Sequence, residues 1–320
     1  MAQEEKRSCN FRTSIGGQAL IEGILMRGPE KQAIVVRSPE GLVTKVEELT
    51  LIRDKYPVLG WPIIRGAVTF LDSIVKGVKA LMFSADYFPD DEAAQPSKFD
   101  LWVERHFTAE KAQSLVLWLS VFLSLGLTLV LFVLLPTFVA GLVDPYINSV
   151  VVHNLVEGVL KIAIFVAYLV FCSKQKDIKR VFSYHGAEHK TIFCYEAGLP
   201  LTVENARIQP KHHPRCGTSF LFVVIIVSIL ISSVVFSFVD WRNLWVRVAM
   251  HLLLLVPVVG ITYEFNRYVG RHDNPVTNFL ARPGMWLQNF TTNEPDDSML
   301  EVAIEALTLV LPEEKGKDAW

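Results

Sequence analysis

The sequence predicts a mainly α-helical, four-pass transmembrane protein with a small cytoplasmic N-terminal α+β region, made of a β-hairpin and an amphipathic helix. This fold class follows from long uncharged runs in the middle of the chain and shorter periodic patterns at both ends. The composition agrees, because 51% of the 320 residues are hydrophobic and only 20% are charged, against about 25% charged in average soluble domains. The net charge of −2 gives no indication of a nucleic-acid partner.

Two runs without a charged residue, at 112–143 and 218–239, are long enough to cross a bilayer. A hydrocarbon core of about 30 Å needs roughly 20 helical residues, and in lipid the backbone must satisfy its hydrogen bonds within the segment. Each run is followed, after a very short connection, by a less uniform apolar segment, at 150–172 and 244–261. One of these two could instead be a buried helix of a soluble domain, but the pairing favours two helical hairpins.

Basic residues predict the orientation. The two short connections contain one Lys or Arg, Arg242, whereas the segment 173–217 contains eight. The positive-inside bias therefore places the N-terminus, this segment and the C-terminus in the cytoplasm, and the chain in the inner or plasma membrane. We expect no cleavable signal peptide, because the first 15 residues are polar and charged, and no disulfide framework, because the four cysteines form no CxxC pair.

The N-terminal region shows two local patterns. The runs 31–37 and 42–48 flank the turn tetrapeptide Ser-Pro-Glu-Gly and predict a β-hairpin. Trp61 and Pro62 open a helix with one apolar face, which is expected to pack on the sheet or to lie in the membrane interface. At the other end of the chain, Asp296 or Ser298 caps an amphipathic helix that runs to about Leu309.

The predicted organisation has five parts: a cytoplasmic or peripheral N-terminal region (1–111), a first transmembrane hairpin (112–172), a cytoplasmic loop rich in His and Cys (173–217), a second transmembrane hairpin (218–262) and a cytoplasmic tail (263–320).

The cytoplasmic loop carries the clearest chemical pattern. In a helix, His185 and His189 stand one turn apart on the same face, the spacing at which two imidazoles can bind one ion. Glu188 is adjacent to that face. The pattern H-x-x-E-H is the inverted zincin signature, in which two histidines hold zinc and the glutamate is the general base. Chance clustering of histidines used as caps or surface groups is the alternative interpretation.

Further ligands are available downstream. His213 and Cys216 have the i, i+3 spacing of a ligand knuckle, and imidazole and thiolate are good zinc ligands. Four protein ligands would form a closed structural site, whereas three would leave one position of a catalytic site open to water. Glu264 is a further candidate as a carboxylate ligand, or it is an ordinary interfacial anion. The predicted cofactor is a divalent metal, with zinc the first choice, and its candidate ligands are His185, His189, His213, Cys216 and Glu264.

Charged and polar residues also occur inside the predicted spans. His153, Glu157 and Lys161 recur every four residues on the second span, and Arg247 and His251 form a pair one turn apart on the fourth. A bare charge near mid-membrane costs about 2.5–3.5 kcal/mol on insertion scales. These groups are either an ion, proton or headgroup pathway or a buried ion pair that fixes the helix register.

The motifs resemble those of a known family. They are Gly-Gly-Gln-Ala-Leu-Ile-Glu-Gly at 16–23, Met-Arg-Gly-Pro at 26–29, Tyr-His-Gly-Ala-Glu-His-Lys at 184–190, Leu-Thr-Val-Glu-Asn-Ala at 201–206, His-Pro-Arg-Cys-Gly-Thr-Ser-Phe at 213–220, Tyr-Glu at 263–264 and Glu-Pro-Asp-Asp at 294–297. From about residue 16 to 307 the chain resembles the YqhQ family of bacterial membrane proteins, a domain of unknown function. The resemblance implies a multi-pass membrane protein and a metal-dependent enzyme.

The leading functional hypothesis is a membrane-embedded, metal-dependent enzyme, most readily a hydrolase, with Glu188 as general base on the cytoplasmic face. The glycine-rich segment 16–28 would fold over the site and present Glu22 and Arg27 to substrate, although hairpin packing is the simpler role for most of it. The alternatives are a non-enzymatic scaffold or assembly factor with a structural zinc loop, and a small transporter that uses Glu157, Lys161 and Arg247. The expected partners are the lipid bilayer and a homo-oligomer or membrane-protein partner, without nucleic acid.

Overall fold

The computed structural model of the chain describes residues 11–49, 56–88, 109–239, 242–272, 274–314 and 316–319. Cys9 and residues 240–241 of the second short connection lie outside these ranges. The chain divides into two compact units. The first comprises Met1–Phe88, Val166–Val227 and Val256–Trp320, and the second comprises Pro89–Phe165 and Ser228–Leu255.

The secondary structure is mainly helical, with four strands near the N-terminus. The strands are β1 (Gly16–Leu20), β2 (Gly23–Arg27), β3 (Lys31–Ser38) and β4 (Gly41–Glu48). The helices are α1 (Ile64–Ala85), α2 (Ala109–Leu129), α3 (Leu135–Gly141), α4 (Val150–Ser173), α5 (Lys176–Glu196), α6 (Val203–Arg207), α7 (Gly217–Val235), α8 (Leu244–Arg271), α9 (Pro275–Thr291) and α10 (Asp297–Val310). A π-helical turn, Val130–Leu134, joins α2 to α3, and short 3₁₀ turns occupy Pro57–Gly60 and Asp144–Tyr146.

Four helices in the described part of the chain are long and apolar enough to cross a membrane. They are Leu119–Gly141, Val150–Ser173, Gly217–Val235 and Leu244–Arg271. This confirms the mainly α fold class with four candidate spans. The last of these helices continues past the apolar segment that ends at Ile261, because helix formation does not stop where hydropathy falls.

The four strands of the first unit form one antiparallel sheet in the order β1-β2-β3-β4. The predicted hairpin is confirmed as β3 and β4, with Ser38 paired to Gly41 at the turn. The strands β1 and β2 extend this hairpin on its other side, with Gly17 opposite Met26. The glycine-rich segment is therefore part of the sheet.

Alternating side chains divide the sheet into two buried faces. Ile24 and Met26 of β2, with Ala33 and Val35 of β3, belong to a core that also contains buried residues of α5 and α10. The alternate residues of these strands face the other way and form a second cluster with Ala80 of α1. Because successive side chains of a strand point to opposite faces, both β2 and β3 are buried on two sides.

Two of the helices predicted outside the spans are confirmed. The helix α1 begins shortly after Pro62, and its buried positions are small residues such as Gly77 and Ala80, whereas much of its apolar face is exposed. The helix α10 is capped by Asp296, whose carboxylate accepts a hydrogen bond of 3.0 Å from the Met299 amide. The helix α9 was not expected, and it begins with a capping box formed by Asn274 and Thr277.

Candidate metal centre

The helix α5 brings two imidazoles together in the first unit. The rings of His185 and His189 lie 4.4 Å apart between centroids, as their separation of four residues requires in a helix. Each ring forms a hydrogen bond to a backbone carbonyl. Nδ1 of His185 donates to the carbonyl of Thr291 at 2.8 Å, and Nδ1 of His189 donates to the carbonyl of Lys211 at 2.5 Å. Because Nδ1 donates to a carbonyl in both rings, Nε2 is the nitrogen that can face a metal.

A thiol completes the group. Cys216 immediately precedes α7, and its Sγ atom lies 3.1 Å from Nε2 of His185. One ligand atom from each of His185, His189 and Cys216 lies within 4.8 Å of the other two. Two imidazole nitrogens and one sulfur at this separation can bind a single ion of the zinc class.

The charges of the group favour the thiolate form of Cys216. Burial disfavours ionisation of the Cys216 thiol, but attraction to His185 and His189 outweighs it and holds the pKa of this thiol well below its usual range. Burial also disfavours the charged form of His185, yet the neighbouring Cys216 raises the pKa of this imidazole to about 9. The metal-free group is therefore an imidazolium–thiolate pair, and an ion bound at Nε2 would have to displace the proton there. The thiolate, which is the ligating form of cysteine, is therefore favoured at neutral pH.

Glu188 lies beside the ligand group on α5. Its side chain is buried, and Oε1 accepts a hydrogen bond of 2.8 Å from the backbone amide of Gly17 in β1. Burial raises the pKa of Glu188, while the nearby His185 and His189 act in the opposite direction. The first strand of the sheet thus approaches the helix closely enough to orient the carboxylate.

A cavity of about 690 Å³ opens onto this group. Its walls come from β1, from the start and middle of α5 and from the turn before α7. The polar side chains that line it are Thr13, Ser14, Gln18, Arg27, Ser73, His185, Glu188, His189, His213, Arg215, Cys216 and Thr218. The cavity is large enough for a small organic substrate.

Two candidate ligands lie apart from the three grouped atoms. The ring of His213 is buried 5.5 Å from that of His189, but its Nε2 faces Glu196 at 3.8 Å. Its backbone is held on both sides by Gln288, through hydrogen bonds of 2.8 Å at the amide and at the carbonyl. Glu264 on α8 instead forms a two-point ion pair with Arg65 of α1, at 2.6 and 2.5 Å.

The two candidate substrate residues differ in position. Glu22, in the turn between β1 and β2, is ion-paired with Arg180, and it accepts a hydrogen bond of 3.2 Å from the Tyr184 hydroxyl. Arg27 lines the cavity, and its guanidinium donates to Ser73 at 2.9 Å and to Asp72 at 3.1 Å. Of the two, only Arg27 borders the cavity.

Sequence reasoning missed several supporting residues. Glu196 lies seven residues after His189 on the same face of α5, and it is ion-paired with Arg215 in the turn that leads to Cys216. This helical spacing was the available signal. Gln288 and Thr291 of α9 give no such signal, because their contacts to His213 and His185 span 75 and 106 residues of sequence.

The five polar residues of the predicted spans come together in the second unit. Glu157 on α4 contacts Lys161 at 2.8 Å, His251 of α8 at 2.8 Å and His153 at 3.7 Å. It is also ion-paired with Arg247 of α8 and accepts a hydrogen bond of 3.0 Å from Thr137 of α3. A single buried carboxylate is therefore shared by groups from three helices.

Comparison with known proteins identifies the family. Residues 61–313 match the model of the family described as protein of unknown function DUF1385. The chain is 35% identical over 303 residues to the uncharacterized protein YqhQ of Bacillus subtilis (strain 168), with 92% of each chain covered. No solved structure matches the chain. The match to most of the chain and the similarity to YqhQ together show that this protein belongs to the DUF1385 family.

Proposed function

We propose that this protein is a membrane-embedded, metal-dependent enzyme, of the hydrolase class, whose site faces the cytoplasm. The observation that carries the proposal is the convergence of three ligand atoms within 4.8 Å beside a buried carboxylate at the wall of a cavity. The cytoplasmic placement rests on the basic residues of the segment 173–217 and the positive-inside bias.

The proposed ligands are His185, His189 and Cys216. Carbonyl groups fix Nδ1 of both histidines, which is the arrangement that orients ligating imidazoles in metal sites. Three protein ligands leave one position of a tetrahedral zinc site open, as in catalytic rather than structural sites. A divalent ion bound there, with zinc the first choice, would supply Lewis acidity. His213 and Glu264, the further candidates from the sequence, are engaged elsewhere, His213 with Glu196 and Glu264 with Arg65.

Glu188 is proposed as the general base. The Gly17 amide holds Oε1 by a hydrogen bond of 2.8 Å, which fixes the orientation of the carboxylate and leaves Oε2 to accept a proton. Arg27, on the cavity wall, would contact the substrate. In this proposal Glu22 does not contact the substrate. Its ion pair with Arg180 and its hydrogen bond from Tyr184 hold the turn of the β1–β2 hairpin against α5.

The first test is the metal content of the full-length protein, purified in detergent without chelator, by mass spectrometry. We expect about one divalent ion per chain in the wild type, and its loss in His185→Ala, His189→Ala and Cys216→Ser. The exposed His272 provides the matched control, because His272→Ala removes an imidazole that is outside the ligand group. A well-folded wild type without stoichiometric metal would contradict the proposal.

The variant Glu188→Gln distinguishes the enzyme hypothesis from the scaffold and transporter hypotheses. The variant should keep its fold and its metal but fail to restore function in cells that lack the native protein. A scaffold with structural zinc predicts the reverse, because function would survive Glu188→Gln and be lost when His185→Ala unfolds the loop. A transporter that uses the intramembrane charges would be abolished by Lys161→Leu and would tolerate Glu188→Gln.

A further inference from the structure

The helix α1 packs against the ends of two long apolar helices in the first unit. Its Gly66 lies against α8, because a Cβ atom there would be 2.7 Å from Cβ of Tyr263 and 2.9 Å from Cα of Gly260. One turn later, the ring of Phe70 lies 5.6 Å from that of Phe220, near the start of α7. Both contacts are at the ends of apolar segments that are long enough to cross a membrane. In a membrane-spanning chain, α1 therefore begins at the level of the membrane surface.

The large apolar side chains of α1 are exposed instead of packed on the sheet. The residues that this helix buries are small: Gly66, Gly77, Ala80 and Ser84. Another face of α1 carries large apolar residues at spacings of three, four and seven. This α1 stripe consists of Ile64, Leu71, Ile74, Val75, Val78, Leu81 and Met82. Leu71 and Val75, near its middle, are 61% and 53% exposed. A contiguous apolar surface of this kind marks an interaction site.

The helix α9 has a similar organisation. Its Gly284 packs on the start of α7, because a Cβ atom there would be 2.7 Å from Cα of Ser219. The α9 stripe consists of the exposed large apolar residues of this helix, Val276, Phe279, Leu280 and Trp286. The first two are each 65% exposed. Two separate helices thus contact the end of the same apolar helix and leave large apolar side chains uncovered.

The residues in and beside the stripes are typical of a membrane interface. Trp286 belongs to the α9 stripe, and Trp61, just before α1, is 60% exposed; tryptophan is enriched where headgroups meet hydrocarbon. Lys79 of α1 and Arg282 of α9 are exposed basic residues. The helix α9 contains no acidic residue, and the one in α1, Asp72, is paired with two basic side chains. Exposed positive charge beside an apolar stripe complements a surface of anionic lipid.

We propose that the α1 stripe and the α9 stripe are inserted into the interface of the lipid bilayer. The apolar face of such a helix lies about 5–10 Å into the boundary between headgroups and acyl chains, and its basic residues stay with the headgroups. The occupant is lipid and not another protein, because both helices adjoin α7 at Phe220 and Ser219, where its own apolar surface meets hydrocarbon.

Both interfacial helices also reach the candidate metal centre. Ser73 of α1 lines its cavity, and the Thr291 carbonyl of α9 accepts the hydrogen bond from His185. Contact of the two stripes with lipid would therefore hold this centre close to the membrane surface. The proposal itself depends on neither a metal nor a reaction.

The test measures the lipid contact of single labelled positions in the full-length protein, reconstituted in nanodiscs of phosphatidylcholine and phosphatidylglycerol. Leu71→Cys and Phe279→Cys are labelled with a bimane fluorophore, and the labelled wild type gives the background of the native cysteines. Fluorescence is quenched either by bromine atoms on the lipid acyl chains or by iodide in the water. Both positions should be quenched by brominated lipid and protected from iodide.

Ile208→Cys is the matched control. Ile208 is an apolar residue of the first unit outside both stripes, 77% exposed, and it follows Arg207, which forms an exposed ion pair with Asp297. A label at this position should be quenched by iodide and not by brominated lipid.

The two quenchers distinguish the possible occupants of the stripes. A label at Leu71→Cys or Phe279→Cys that responds as Ile208→Cys does would place that stripe in water and overturn the proposal. Protection from both quenchers would also overturn it, because a second copy or another protein would then cover the stripe. Val75→Cys and Val276→Cys repeat the measurement on the same two helices, so the test does not depend on the folding of one variant.

Discussion

At the residue scale, Gly17 is the point where the sheet touches the candidate site. Its amide holds Glu188, and a Cβ atom at this position would lie 2.7 Å from the Leu25 carbonyl oxygen and 3.1 Å from Cδ of Glu188. No side chain larger than hydrogen fits between the strand and the carboxylate. Glycine is therefore required here by close approach and not by an unusual backbone angle.

We predict that Gly17→Ala destabilises the protein by about 1–3 kcal/mol, the usual cost of overpacking. The neighbouring Gly16 is a matched control, because a Cβ atom there meets nothing within 4 Å. Gly16→Ala should change the stability by about 0.5 kcal/mol or less. Thermal unfolding of the two variants in the same detergent measures the difference, and equal unfolding temperatures would contradict the close contact with Glu188.

At the element scale, the helix α9 positions the turn that carries His213 and Cys216. The side chain of Gln288 is fully buried, and it binds both the amide and the carbonyl of His213 at 2.8 Å. Its neighbour Thr291 provides the carbonyl that holds His185. Both histidine-containing segments are thus fixed by one helix that contributes no candidate ligand itself.

Gln288→Leu leaves the amide and the carbonyl of His213 without their partners, while the volume of the side chain changes little. We expect a loss of about 2–3 kcal/mol, the typical cost of two broken buried hydrogen bonds, and a lower metal content because the turn before α7 is released. The exposed Asn289 is the control, and Asn289→Leu should leave metal content unchanged. Normal metal content in a destabilised Gln288→Leu protein would show that α9 supports the fold without positioning the ligands.

The N-cap of α10, Asp296, makes the stability of the protein depend on pH. Burial acts against ionisation of Asp296, but hydrogen bonds from Ser298 and from the Met299 amide outweigh it, so the pKa of Asp296 lies below its ordinary value of 3.8. The ionised cap therefore contributes its full stability above about pH 4 and loses it as the pH falls through the lowered pKa.

Asp296→Ala should cost about 1 kcal/mol at neutral pH, as for other N-caps. Asp297→Ala, which removes an exposed ion pair with Arg207, should cost about 0.5 kcal/mol. Unfolding temperatures between pH 3 and pH 7 measure both effects. Asp296→Asn should keep most of the capping hydrogen bond, but its unfolding temperature should fall less at low pH than that of the wild type. If the unfolding temperature of Asp296→Asn falls by the same amount, Asp296 is not the source of this fall.

Local signals account for the elements that the sequence predicted. The hairpin β3–β4 has alternating residues around a turn, α5 places His185 and His189 one turn apart, and α10 follows a capping Asp296. The helix α9 was missed because Pro275 and Pro283 suggest a loop, although the first occupies the N-terminal turn, where proline is tolerated. Long-range contacts could not be predicted: nothing local to Glu264 indicates its pairing with Arg65, 199 residues away.

At the scale of the whole molecule, the basic residues predict which parts of the chain share one side of the membrane. Cysteine labelling tests this at positions that are well exposed: Tyr146 and Phe238, both 86% exposed at the ends of apolar helices, and Glu40 in the turn of the β3–β4 hairpin. A membrane-impermeant maleimide should label Tyr146→Cys and Phe238→Cys in intact cells. Glu40→Cys should be labelled only after the membrane is permeabilised, and the wild type gives the background of the native cysteines. Labelling of Glu40→Cys in intact cells would show that the chain has the opposite orientation.

The contacts of His185 and Glu188 have a consequence for synthesis on the ribosome. Gly17, which holds Glu188, emerges early, whereas the Thr291 carbonyl that holds His185 follows the last of the four long apolar helices. The nascent chain therefore cannot complete this centre until all four of these helices have been translated. Under the proposed function, the Thr291 contact of His185 would form only after membrane insertion, so incompletely synthesised chains would lack this part of the centre.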